Sequence, residues 1–222
     1  MAALGKAYRR AVEWRKAFTG WNDVDYDPRT GDHGLPHDPF NALVVPRPIG
    51  WITTIGRNGV VNLAPYSYFN AIAAKPPYVM FSSINRKDSQ RNAEETGEFT
   101  CSLATWDLRE ELNETSAPLP PGESEVARAG LEMAPSVSVK PPRVARSPAA
   151  LECTYVKTVD LPPVNGKPNP AGIVIGAVVR IHVDDAFIKD GRFDLLRARP
   201  ISRLGYMDYA PVDMIFAMDR PK

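Results

Sequence analysis

The fold is decided by residues 47–92, which read RPIGWITTIGRNGVVNLAPYSYFNAIAAKPPYVMFSSINRKDSQRN. Apolar and β-branched residues dominate Ile49–Ile55 and again Val60–Leu63, and the run Gly56-Arg57-Asn58-Gly59 separates them. Asn58-Gly59 is a strong hairpin signal because both residues tolerate a positive φ. The stretch therefore predicts two antiparallel strands joined by a tight turn.

A further strand and a short helix follow within the same stretch. Tyr78–Ser83 has the composition of a buried strand, and Ser89–Thr96 predicts a helix. We expect Asp88 to cap this helix at its N-terminus and Gly97 to end it. Phe99–Ala104 then predicts another strand, so strand, helix and strand should share one core.

The remaining sequence also alternates between strands and helices. Helices are predicted at Trp106–Ala117 and Ser124–Ala129, with the helix-breaking run Pro118–Gly122 between them. Further strands are predicted at Ser136–Lys140, Leu151–Leu161 and Ile173–Val183. The predicted fold class is mainly β, an antiparallel barrel with helical insertions.

The chain should form one domain with an appendage. Residues 1–40 predict an N-terminal helix followed by an irregular connector rich in Asp, Gly and Pro. Residues 41–222 predict the barrel domain, and 44% hydrophobic residues in a chain of 222 are enough to bury a substantial core.

The composition limits which partners the chain can bind and indicates the cellular compartment in which it works. The formal charge of +1 provides no overall field for nucleic acid or an anionic membrane, so anion binding must be local. Because the sequence lacks a signal-peptide pattern and a long apolar run, we expect a soluble, cytoplasmic protein. Cys101 and Cys153 lie in strand-like sequence without the spacing of a metal site, which indicates small core residues.

One half of a candidate ligand site lies in Asn62–Asn70, which is dense in aromatic and hydroxyl groups. A planar heteroaromatic ligand needs an apolar slot for its faces and a few donors and acceptors along its edge. Main-chain amides around Ala64, with the side chains of Thr53, Asn62 and Ser67, could supply that edge. The alternative is an ordinary surface loop with aromatic anchors.

The other half lies in Ser82–Ser89, where hydroxyls, Arg86 and Lys87 precede a predicted helix N-terminus. These three kinds of group stabilise a phosphate dianion. The alternative is a polar loop whose two cations are merely solvated. Asp88 would repel a phosphate unless its carboxylate caps its own helix.

Together these motifs resemble the flavin reductase-like, FMN-binding split-barrel family. The resemblance rests on Arg47-Pro48, Thr53-Thr54, the run Asn62–Ser67 with Phe69, Lys87-Asp88 and Asn92, and it continues loosely through Gly176–His182 and Arg199–Gly205. It implies a six-stranded antiparallel Greek-key split barrel that forms a homodimer, with one FMN per subunit near the interface.

The resemblance also assigns roles to particular residues. Strand alternation could instead turn Arg47 or Trp51 into the core. Along the flavin ring and ribityl chain the resemblance places Arg47, Trp51, Thr53, Asn62, Ala64, Pro65, Ser67 and Phe69. Around the phosphate it places Ser83, Arg86, Lys87 and Ser89.

The sequence departs from this family in two respects that concern chemistry. Ser89 stands where relatives usually have threonine, which keeps the hydroxyl. The Gly-Asp-His segment of compact reductases, whose histidine is associated with the nicotinamide, is replaced here by Ala171–Gly176. His182 is the only nearby imidazole, and its position in an alternating strand also suits a non-catalytic role.

The resemblance implies an FMN-dependent oxidoreductase that passes hydride from NADH or NADPH to flavin and then to oxygen, free flavin or a partner. The flavin would carry the chemistry, so no catalytic residue or metal is predicted in the protein. Two alternatives stay open: an FMN-binding carrier without its own nicotinamide reaction, and a barrel that holds another cofactor or a small-molecule substrate.

Overall fold

The computed structural model describes residues 24–120 and 123–221. The chain divides into two units, Met1–Leu43 and Val44–Lys222. The predicted N-terminal helix lies outside the described residues, and the predicted boundary after residue 40 stays a prediction. Among the described helices, none combines the length and the apolar character that crossing a membrane would need.

Short helices and fourteen strands make up the described chain. The helices are α1 (Phe40–Leu43), α2 (Asp88–Thr96), α3 (Arg109–Glu114), α4 (Glu125–Arg128) and α5 (Leu195–Ala198), with 3-10 turns at Trp106–Leu108 and Asp185–Phe187. The strands are β1 (Arg47–Pro48), β2 (Gly50–Ile55), β3 (Val61–Tyr66), β4 (Phe69–Ala74), β5 (Pro77–Ile84), β6 (Glu98–Leu103), β7 (Met133–Ala134), β8 (Arg143–Val144), β9 (Ala149–Asp160), β10 (Ala171–Val183), β11 (Ile188–Lys189), β12 (Arg192–Phe193), β13 (Ile201–Arg203) and β14 (Tyr209–Pro211).

The main sheet has seven antiparallel strands in the order β3-β2-β6-β9-β10-β5-β4. In a flat sheet, five strand spacings of about 4.8 Å would separate β3 from β5. Instead the ring of Tyr66 on β3 lies 4.9 Å from the ring of Phe81 on β5. The sheet therefore curls into a barrel, with β3 and β4 as its unjoined edges.

The interior of the barrel is apolar and includes both cysteines. Phe81 and Phe99 pack edge to face there with ring centroids 5.5 Å apart. Gly50 is required beside Phe69, because a Cβ built at Gly50 would lie 2.4 Å from that ring. Cys101 and Cys153 are buried and free, as the sequence predicts.

A second core lies outside the barrel wall, under an insertion that runs from Thr105 to Ser147 between β6 and β9. Trp51 and Leu63 project from the wall and pack against Leu108 and Leu112 of the insertion. All four side chains are at least 99% buried, so the insertion is part of the fold rather than a loose loop.

The mainly β, antiparallel split-barrel fold is confirmed, although the main sheet has seven strands instead of six. β4 is the strand that the sequence did not reveal, because Ala-rich Phe69–Ala74 carries little strand propensity. β3 continues through Pro65 to Tyr66, which an edge strand permits since it has no outer ladder to complete.

Two local predictions were wrong, and one predicted helix is shorter than expected. Ser136–Lys140 is not a strand. The Ser136 hydroxyl donates to the Pro141 carbonyl, and the Ser138 N–H donates to a carboxylate oxygen of Glu152 on β9. The helix predicted at Trp106–Ala117 begins as a 3-10 turn and ends at Glu114. Asp88 is the first helical residue of α2 rather than its cap, and its carboxylate forms an ion pair with Arg91.

Candidate flavin cleft

A cleft of about 610 Å³ opens along the free edge of β3. It has three walls: the edge of β3, the first turn of α2, and the insertion after α3. The lining residues are Asn62, Ala64, Pro65, Tyr66, Lys87, Asp88, Ser89, Thr115, Ser116, Ala117, Pro118, Leu119 and Glu125.

The first wall exists because β3 has a neighbour on one side only. Its inner edge pairs with β2, from Gly50↔Tyr66 to Ile55↔Val61. Pro65 cannot donate a hydrogen bond, so this part of the strand is suited to an unpaired edge. Asn62, Ala64 and Tyr66 alternate with the residues between them and share one face of the strand.

The second wall is the N-terminus of α2. Lys87 occupies the N-cap position in an extended conformation, and no side chain caps the helix. Uncapped N–H groups at a helix N-terminus attract anions. Lys87, Asp88 and Ser89 from this turn line the cleft, so donors and one cation meet there beside one carboxylate.

Buried hydrogen bonds connect the first two walls. Asn62 donates from Nδ2 to Ser89 Oγ at 2.8 Å and to Thr54 Oγ1 at 3.3 Å. Asn92 on α2 donates to the same Thr54 oxygen at 3.2 Å. The bond from Asn62 therefore holds the Ser89 hydroxyl in place, and Ser89 also lines the cleft.

Tyr66 completes this polar group from the end of β3. Burial raises the pKa of its phenol, and hydrogen bonds with Ser89 and Ser83 oppose that rise. Ser83 also accepts a 3.3 Å hydrogen bond from the backbone N–H of Lys87. Three hydroxyl groups, all held by neighbours, thus surround the start of α2.

The third wall belongs to the insertion and is anchored by Trp51, which belongs to the second core. The Trp51 Nε1–H donates to Thr115 Oγ1 at 2.9 Å, and Thr115 in turn donates to the Leu112 carbonyl at 2.8 Å. Both side chains are buried. This contact fixes the start of the run Thr115–Leu119 that borders the cleft.

Two residues around the start of α4 tie the same wall to the edge of β3. Ser124 donates from Oγ to the Val61 carbonyl at 3.0 Å, and Glu125 Oε2 accepts from the Leu63 N–H at 3.2 Å. Burial raises the pKa of the Glu125 carboxyl, and the negative charge of Asp88 raises it further. The cleft therefore contains a carboxyl group that is harder to ionise than a free one.

The structure brings together about half of the predicted site residues. Asn62, Ala64, Pro65, Lys87 and Ser89 line the cleft. Ser83 lies directly behind them, since it is bound to the backbone of Lys87 and to Tyr66.

The two predicted phosphate cations are separated. Arg86 points along the outside of α2, where its Nε lies 2.7 Å from a carboxylate oxygen of Glu94 and its Nη2 lies 3.9 Å from one of Glu95. Lys87 lines the cleft, and its ammonium group makes no hydrogen bond or ion pair with the part of the chain that the structure describes. Of the two, only Lys87 is placed to meet a ligand in the cleft.

The remaining predicted residues lie in the barrel or beside it. Arg47 is buried and donates to the Val44 and Leu204 carbonyls at 2.8 and 2.7 Å. Thr53 is fully buried in β2, and its hydroxyl has no hydrogen-bond partner among the described residues.

Trp51 lies behind the cleft and is linked to its lining by the hydrogen bond to Thr115. Ser67 lies in the bend between β3 and β4, and Phe69 packs over Gly50. His182 pairs with Ala150 on β9 and is not among the residues that line the cleft.

Sequence reasoning missed Tyr66, Glu125 and the run Thr115–Leu119. Tyr66 lies inside the segment Asn62–Asn70, whose aromatic and hydroxyl groups already indicated a ligand site. The insertion offered only a helix-breaking proline run, which marks a turn but does not say which surface the turn meets.

The donor set fits a ligand that carries a phosphate. Hydroxyls of Ser83 and Ser89, the ammonium of Lys87 and an uncapped helix N-terminus suit a phosphate. The cleft volume falls within the range of cofactor sites, about 300–1,000 Å³. The split barrel and this cleft together indicate a class of proteins that hold a phosphate-bearing cofactor beside an edge strand.

Comparison with known families supports this class. Residues 42–198 match the family model of the flavin reductase like domain. The chain belongs to the flavin reductase-like family and is a flavin-related oxidoreductase by class. This confirms the resemblance that the sequence motifs indicate.

Three relatives illustrate the range of the family. The chain is 39% identical to an uncharacterized protein of Halalkalibacterium halodurans, over 81% of this chain and 88% of the relative. The crystal structure of nitrilotriacetate monooxygenase component B from Bacillus cereus is 33% identical, with a TM-score of 0.82 over 89% of this chain and 100% of that one. The 2-nitrobenzoate 2-nitroreductase of Pseudomonas fluorescens is 25% identical, with a TM-score of 0.73 over 82% of this chain and 88% of that one.

Proposed function

We propose that this protein is an FMN-dependent oxidoreductase that takes hydride from NADH or NADPH and delivers electrons to oxygen, free flavin or a partner. The observation that carries the proposal is the cleft in which Asn62, Lys87 and Ser89 meet beside an edge strand. Membership of the flavin reductase-like family supports the same ligand.

In this proposal the protein contributes binding and orientation. Lys87, Ser83, Ser89 and the N–H groups of α2 would hold the phosphate, while Ala64, Pro65 and Tyr66 would border the chain and the ring. The bound flavin would supply hydride and electron transfer, so no acid or base is required of the protein. We also propose a cytoplasmic homodimer with its flavin near the interface.

A spectrum tests the proposal. Purified protein mixed with FMN and then freed of excess ligand should retain the visible absorption bands of oxidised flavin. Anaerobic addition of NADH or NADPH should then bleach them. Protein that never takes up FMN would overturn the proposal, and heat-treated protein serves as the control for adventitious flavin.

An FMN carrier without nicotinamide chemistry is the second candidate. The observation in its favour is that Ala171–Gly176, which replaces the Gly-Asp-His segment, is paired on both sides with β5 and β9. No histidine loop is available in that segment. A flavin spectrum that dithionite bleaches but neither nicotinamide does would favour the carrier.

A further inference from the structure

An apolar segment leaves the barrel after β14. Residues 213–221, named here the apolar arm, form no helix or strand. Met214, Phe216 and Met218 are 81%, 79% and 82% exposed, and Ile215 is 56% exposed. Monomeric proteins rarely leave a contiguous apolar surface of this kind in water. The arm therefore has the character of a docking element.

The arm is fixed at its base and projects beyond it. Val212 donates from its N–H to the Pro200 carbonyl at 2.9 Å, and Asp213 pairs with Arg199 at 2.9 Å. Among the described residues, no hydrogen bond holds residues 214–221 to the barrel. A fully extended chain of nine residues spans about 30 Å, which is enough to reach a neighbouring molecule.

The same region of the barrel carries a groove that suits such a segment. This apolar groove has a volume of about 300 Å³, and its walls include Ile49, Phe69, Cys101, Leu151 and Val212. Ile181 is 58% exposed and pairs with Leu151 on the neighbouring strand, so it extends the apolar surface beyond the groove.

We propose that the apolar arm of one copy docks in the apolar groove of a second copy, and reciprocally. Val212 stands at the border of its own groove, yet the residues that follow leave this groove open and remain exposed. A two-fold arrangement covers both surfaces in both copies at once. In an extended arm, Met214, Phe216 and Met218 face one side and would enter the groove together.

This inference rests on the proposed homodimer but not on flavin binding. Arm exchange predicts that residues of the arm lie next to Ile181 of the other copy. A dimer that uses other surfaces makes no such prediction.

Cross-linking between two differently tagged variants tests the exchange. Chains with Ile181→Cys are mixed with chains with Phe216→Cys, unfolded and refolded together, and treated with a short thiol cross-linker. Arm exchange predicts covalent dimers that contain one chain of each kind. Their absence, when the mixed dimers form but stay uncross-linked, would overturn the proposal.

A second measurement concerns the strength of the dimer. The triple variant Met214→Ser, Phe216→Ser, Met218→Ser should raise the dimer dissociation constant at least about a hundredfold in sedimentation equilibrium. Val137→Ser, which alters a residue 74% exposed outside the arm, is the matched control and should leave the constant unchanged. A monomeric wild-type protein, an unchanged constant in the triple variant, or an equal effect of the control would contradict arm exchange.

Flavin uptake is recorded in parallel on the same samples. Monomeric triple variant that still takes up FMN separates the two proposals, because the arm then affects assembly alone. Cross-linked mixed dimers of the two cysteine variants, together with wild-type protein that takes up no flavin, would support the arm exchange and overturn only the proposed function.

Discussion

The stretch 47–92 and the insertion from Thr105 to Ser147 both line the cleft, but they are built differently. The first places Asn62, Lys87 and Ser89 through ladder hydrogen bonds and a buried polar network. The second reaches the cleft through a few side-chain contacts, among them Trp51 with Thr115 and Glu125 with Leu63.

The two kinds of wall suit two different tasks in ligand binding. Rigid walls that are hydrogen-bonded to the barrel suit the part of the site that must fix a phosphate in one position. A wall joined to the barrel by side-chain contacts instead of ladder hydrogen bonds can change in sequence without disturbing the sheet, which suits the part that sets which ligands fit and how tightly. Four predictions, from the largest expected effect to the smallest, test this separation.

Lys87→Ala should weaken FMN binding about tenfold or more and leave riboflavin binding nearly unchanged, because only FMN carries the phosphate. Arg86→Ala is the matched control and should have a much smaller effect, since Arg86 pairs with Glu94 and Glu95. Titration by flavin fluorescence measures both constants. Equal losses for both ligands in Lys87→Ala would show that this wall does not hold a phosphate.

Ser89→Ala should weaken FMN binding about fivefold to tenfold, since it removes a hydroxyl at the helix start and the acceptor of Asn62. Ser89→Thr keeps the hydroxyl and should bind FMN almost as wild type does. The same titration distinguishes them. If both variants bind equally, the hydroxyl has no part in the site and the rigid wall is purely structural.

Trp51→Phe should lower the free energy of unfolding by about 1–2 kcal/mol, because the buried Thr115 hydroxyl loses its donor. Thr115→Val removes the other partner, and urea denaturation of both variants and their double variant gives the coupling energy. A double variant that costs the sum of the two singles would mean that this contact does not anchor the third wall.

Glu125→Gln should tighten FMN binding a few-fold at neutral and higher pH, because it removes a negative charge from the cleft and keeps an oxygen for the Leu63 N–H. The pKa of Glu125 is raised, so the wild-type carboxyl becomes neutral at a higher pH than a free glutamate does. The affinity ratio of variant to wild type should therefore fall toward one as pH falls through that pKa.

The ratio is informative because protonation of the FMN phosphate affects both proteins alike. Glu123→Gln, at an exposed position two residues earlier, is the control and should show no pH-dependent ratio. A Glu125→Gln ratio that stays constant across the acidic range would show that this carboxyl does not face the ligand.

Much of the fold could be predicted because its signals are local. The hairpin turn at Gly59, which has a φ of 80°, and the end of α2 at Gly97, which has a φ of 79°, both follow from glycines that tolerate left-handed backbone. The sequence did not reveal β4, and it predicts a strand at Ser136–Lys140 that the structure lacks. Their structure depends on what packs against them, and strand propensity reflects that context more than the residues themselves.

The sequence by itself determined the family, the barrel and the presence of hydroxyls and cations near a helix start, because these depend on short-range patterns. Only the tertiary structure decided that Lys87 enters the cleft while Arg86 turns to Glu94, since Asn85 and Arg86 both adopt a positive φ just before α2. It also decided that a distant insertion closes the third wall. Contacts such as Trp51 with Thr115 join residues 64 positions apart, and no local pattern encodes such a distance.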